Sequence, residues 1–96
     1  MTLAEFKQSL SGTQPPDKLP LLLQALWFDA KGDWHASHNI TQDVNTKDGA
    51  WIHAYLHRQE GDNGNAAYWY RRADKPVCTT SLQEEWDAIA AAILVQ

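Results

Sequence analysis

A chain of 96 residues holds one hydrophobic core and not two. With 8 Lys+Arg against 12 Asp+Glu, its formal net charge of -4 argues against nucleic acid or an anionic membrane as the main partner, since both reward a basic face. Cys78 stands alone, which excludes an intrachain disulfide and a thiolate metal cage. Five Trp and three Tyr supply the apolar area for a dense core. Met1–Lys7 carries Glu5 and lacks the apolar centre of a signal segment, and Leu19–Phe28, broken by Pro20 and Gln24, is too short to cross a bilayer. The expected compartment is the reducing cytoplasm.

Six helices are expected in chain order. The first covers Thr2 to Ser11: Thr2-Leu3-Ala4-Glu5 matches a capping box, and Leu3, Phe6 and Leu10 form one stripe. Gly12-Thr13-Gln14-Pro15-Pro16 is loop chemistry. The second runs from Leu19 to Lys31, with Pro20 in its first turn, Leu22, Leu23, Leu26 and Trp27 inward, and Gly32 as its stop. The third spans Asp33 to Asn45, with Trp34, Ser37, Ile40, Thr41 and Val44 at inward spacing. Asn45-Thr46-Lys47-Asp48-Gly49 has the composition of a turn. The fourth runs from Ala50 to Glu60, placing Trp51, Ala54, Tyr55 and Arg58 on one side. The fifth, Asn63 to Ala73, gathers Ala66, Trp69, Tyr70 and Ala73, and Asp74-Lys75-Pro76 ends it. The sixth, Ser81 to Val95, opens on the capping box Ser81-Leu82-Gln83-Glu84 and carries Leu82, Trp86, Ile89, Ala90 and Ile93 at helical period.

The doublet Gly-Asp occurs at Gly32-Asp33 and again 29 residues on at Gly61-Asp62. Each time it separates two helical stretches, the glycine suited to end one helix and the aspartate to cap the next. The expected fold is therefore all-α: one domain over residues 1–96, with helical hairpins at 16–45 and 46–75 and outer helices covering them, the last at 81–95. Gly61, Ala66, Tyr70 and Ala73 resemble the second half of a tetratricopeptide unit, although the repeat is shorter than the usual 34 residues. Leu22 through Trp34, Asp48 through Arg58 and Tyr68 through Ala73 also resemble a small bacterial all-helical family with no assigned activity. That likeness implies a compact helical domain and carries over no catalytic residue.

Four histidines fall close together: His35 and His38 at i, i+3, then His53 and His57 at i, i+4. The second spacing puts two imidazoles on one helical face, as a helical zinc site requires. The stretch His53-Ala54-Tyr55-Leu56-His57 lacks the glutamate that such sites use as a base, and a third ligand would have to come from His35, His38 or a carboxylate. The expectation is histidines packed beside aromatics, with no metal and no cofactor. No nucleophile–base pair or phosphate-cradling loop appears, so no catalytic residue is assigned and an enzyme is not expected. Paired carboxylates such as Glu84-Glu85 read as solvated.

In Tyr68-Trp69-Tyr70-Arg71-Arg72, three successive aromatics cannot all face one core, because helical residues turn about 100° each. Tyr68 should lie outward and meet Arg72 at i, i+4. The candidate binding surface is therefore His53, His57, Arg58, Tyr68, Arg71 and Arg72, anchored from beneath by Trp51 and Trp69. Arg58 has a second reading as an internal partner of Glu60, Asp62 or Asp29. The functional expectation is a small adaptor-type module that binds another protein or an acidic peptide. The alternative is a metal-dependent hydrolase or small anionic-ligand-binding protein using the His53/His57/Arg58 face.

Overall fold

A computed structural model describes residues 1–96. It contains six α-helices and no strand: α1 (Leu3–Gln8), continued by a 3-10 turn at Ser9–Ser11, then α2 (Leu21–Ala30), α3 (Trp34–Thr41), α4 (Lys47–Gln59), α5 (Asn63–Arg72) and α6 (Leu82–Leu94). None is long and apolar enough to cross a membrane.

The Gly-Asp doublets act as the sequence suggests. Gly32 and Gly61 adopt φ of 87° and 86°, the left-handed region that a side chain disfavours. Each closes the preceding helix with two bonds: Gly32 N–H to Asp29 and Asp33 N–H to Phe28, both 2.9 Å, are matched by Gly61 N–H to Arg58 at 3.1 Å and Asp62 N–H to His57 at 2.9 Å. The aspartates then start the next helix, accepting from Ala36 N–H at 3.1 Å and from Asn65 N–H at 3.2 Å. Two antiparallel hairpins result, α2–α3 and α4–α5.

Three boundaries differ from the sequence reading. Helix α3 ends at Thr41, short of the expected Asn45, so Val44 lies in the loop that follows and not on the helix. Pro20 precedes α2 as its N-cap instead of sitting in the first turn. Helix α4 begins at Lys47, inside the stretch read as a turn, because Thr46 caps it by accepting from Gly49 N–H at 3.0 Å. Gly49 is required there by space: a Cβ would lie 2.4 Å from the Val44 carbonyl oxygen.

Helices α2 and α4 are central. Against one side of them pack α3 and α5; against the other lies α6, with α1 laid on it. Phe6 stacks on Trp86 with centroids 5.5 Å apart, and Trp86 Nε1 donates to the Leu26 carbonyl at 3.1 Å. Leu23, Leu26, Trp27, Ile52, Tyr55, Leu56, Ile89 and Ile93 complete this core. Because α4 is wrapped by neighbours, it buries residues all round its circumference, His53 and His57 included. That enclosure decides the fate of the candidate surface.

Candidate functional site

The structure divides the eight candidate residues among three places, so they do not form one exposed face. The first lies between α4 and α6. Glu85, read from sequence as solvated, is 2% exposed. Tyr70 Oη donates to its two oxygens at 2.9 and 2.6 Å, Arg58 Nη1 at 2.9 Å and Trp51 Nε1 at 3.2 Å. Arg58 also donates to the Thr80 carbonyl. The guanidinium thus pairs with Glu85, and not with Glu60, Asp62 or Asp29 as the sequence reading proposed. Its donors are committed internally, which removes it from an anion-binding surface. Burial, reinforced by the hydrogen bond to Glu85, raises the Tyr70 phenol far above its usual range.

The second place is the crease where α3, α4 and α5 meet. His53 and His57 project into it from α4 and are buried, a correction to their placement on an exposed patch. His53 lies flat on Trp69 with centroids 3.9 Å apart, and His38 from α3 lies flat on Trp34 at 4.8 Å. The His38 and His53 Nε2 atoms face each other at 3.1 Å. His57 Nδ1 lies 2.7 Å from Glu60 Oε1. His53 Nδ1 is buried with no hydrogen-bond partner. Burial, then the charges of His38 and His57, push the His53 pKa down to about 4. Burial lowers His38 as well, followed by His57, with Glu60 opposing. His38, His53 and His57 each offer a nitrogen within 4.8 Å of the others. The fourth histidine, His35, is exposed, its ring edge-on to Trp34 with centroids 5.3 Å apart, and is not part of this group.

The third place is the outer face of α5. Tyr68 is exposed, and Arg72 donates to its hydroxyl at 3.1 Å, as the i, i+4 spacing predicts. The same guanidinium lies 5.0 Å from the Trp69 centroid, so Trp69 carries His53 and Arg72 together. Arg71 and Arg72 are exposed and form no salt bridge. Beside them a cleft of about 190 Å³ is lined by Val44, Thr46, Lys47, Trp69 and Arg72. Lys47 leans toward Asp74 at 3.5 Å, and Lys75 sits 4.1 Å from the half-buried Trp51 ring. The largest recess, about 520 Å³, lies elsewhere, lined by Lys7, Asp29, Tyr55, Gln59 and Gln83 and by none of the candidates.

Sequence reasoning missed Glu85 although a signal was present. It falls three residues after Leu82 and four before Ile89, within the apolar stripe of α6. A carboxylate in such a stripe needs a buried partner. Arg58, on the inward side of α4, was the counterpart. Comparison with family models, with curated proteins and with solved structures finds no match to this chain.

Proposed function

We propose that this is a cytoplasmic, adaptor-type interaction module of tetratricopeptide-like hairpins that binds an acidic peptide through the outer face of α5. The observation that carries the reading is the pair of exposed arginines without a salt bridge, Arg71 and Arg72, beside exposed Tyr68 and, for Arg72, a cleft. Lys47, which leans toward Asp74, lines the same cleft as Arg72, so three of the chain's 8 Lys+Arg lie at this face while the net charge is -4. A cationic, aromatic patch on an acidic protein favours a carboxylate-bearing partner and disfavours a second copy of the chain. Tyr and Arg are also the residues that most often carry binding energy, and Tyr68 is held in place by the guanidinium it stacks against.

The test uses a synthetic Asp/Glu-rich peptide titrated into isotope-labelled protein. Amide shifts should cluster on α5 around Tyr68, Arg71 and Arg72. The doubly substituted Tyr68→Ala/Arg72→Ala protein should bind about tenfold or more weakly, a typical loss for residues of this kind. Both side chains are exposed, so the fold should survive. Equal affinity in the variant, or shifts confined to another face, would contradict the assignment.

A further inference from the structure

We infer that His38, His53 and His57 form a binding site for a single divalent ion of the Zn²⁺ type, with Glu60 as the carboxylate that orients His57. This is independent of the α5 surface, since it uses the crease beneath Trp69 and no partner chain.

An ionised carboxylate only accepts, so Glu60 Oε1 at 2.7 Å accepts from His57 Nδ1, which therefore carries a proton. An incoming divalent ion then has Nε2 as its ligand atom on His57, any proton there being released on binding, while Glu60 holds the ring by Nδ1. A carboxylate behind an imidazole is the common second layer of zinc–histidine sites. His38 and His53 present Nε2 to each other at 3.1 Å, where at most one proton fits between them. At least one further lone pair therefore faces the same space. Two nitrogens bound to one tetrahedral ion at 2.0–2.1 Å stand about 3.3 Å apart, close to that separation. His57 closes the set, with all three nitrogens within 4.8 Å, and binding needs it to swing inward.

The chemistry of the donors selects the ion. Three neutral imidazoles suit zinc, copper, nickel and iron, whereas calcium and magnesium need oxygen ligands. His38 is half-buried and Glu60 exposed, so the crease opens to solvent at its edge and an ion can enter.

A second grouping, His57, Glu60 and Asp62, also lies within 4.8 Å but is largely exposed, and it supplies the competing outcome. The experiment takes untagged protein freed of metal by chelation and titrates it with Co²⁺, then Zn²⁺. The inference expects one Co²⁺ per chain, with visible absorption of a nitrogen-ligated ion that Zn²⁺ abolishes, and a rise in Tm on Zn²⁺ addition. His38→Gln should lose the visible band, and Glu60→Gln, which alters an exposed group, should weaken affinity about 10- to 100-fold. Asp62→Asn, which preserves the α5 cap, and His35→Gln should both bind as the unaltered protein does. Absence of the band and of the Tm rise would overturn the inference. So would a band that survives His38→Gln and fails in Asp62→Asn, which would place the ion in the exposed grouping.

Discussion

Helix α4 carries two buried polar clusters on different sides, and they are finished to different degrees. Toward α6, the Glu85 carboxylate receives Trp51, Arg58 and Tyr70, and both oxygens are engaged. Toward α3 and α5, the histidine cluster leaves His53 Nδ1 without a partner and sets two Nε2 atoms against each other. The first cluster is saturated and has nothing left to offer a ligand. The second holds spare lone pairs. Burial alone therefore does not mark a functional group; what matters is whether its hydrogen-bonding capacity is used up.

The largest expected effect lies on the saturated side. Glu85→Ala leaves the Arg58 charge without its counter-ion and strands the Tyr70 and Trp51 donors, so urea unfolding should show a loss of about 3–5 kcal/mol. A loss under about 1 kcal/mol would mean that water satisfies these donors and that the cluster is not closed.

Acid should act on the other side. In metal-free protein His53 stays neutral down to a pKa of about 4, against its ordinary 6.5. Between those values the unfolded chain binds a proton that the folded chain refuses, so stability falls as pH is lowered through this window. Above it His53 contributes no pH dependence. The groups facing it are His38 from α3 and His57 from α4, with the uncharged Trp69 ring from α5. The loss from His53 approaches roughly 3 kcal/mol at the acid end. Unfolding midpoints measured across this range should flatten in His53→Gln; an unchanged slope would contradict the assignment.

Tyr70→Phe sharpens the contrast by removing one hydroxyl and keeping the ring. About 1–3 kcal/mol should be lost, since Glu85 keeps two donors. Smaller again is Gly61→Ala, about 1–2 kcal/mol from left-handed strain, because a Cβ there meets nothing within 4 Å. Gly32→Ala should cost about the same, since both turns share one backbone geometry and a Cβ at either meets nothing within 4 Å.

The hairpins were legible because their punctuation is local. A glycine at a helix end and an aspartate one residue later act through their own backbone neighbours, so Gly32-Asp33 and Gly61-Asp62 are readable without the fold. The start of α4 was not, because Thr46, Lys47 and Gly49 have turn composition and only the approach of Val44 explains the glycine. Tyr68 and Arg72 were readable from helical spacing. His53 and His57 were readable as a pair, but their burial depends on α3 and α5 closing over α4, which no spacing along α4 reveals. Choosing His38 over His35 needed the packing of α3. Pairing Arg58 with Glu85 joins positions 27 apart in sequence.

The contrast between the two clusters is tested most directly by long-range ¹H–¹⁵N spectra of the imidazole nitrogens in metal-free protein, before and after one equivalent of Zn²⁺. Before zinc, His57 should appear as the Nδ1–H tautomer. After it, the Nε2 resonances of His38, His53 and His57 should shift together, while His35 and the Trp51 indole N–H on Glu85 stay fixed. His57 found as the Nε2–H tautomer, or histidine resonances indifferent to zinc, would contradict the claim that this cluster holds free ligand atoms.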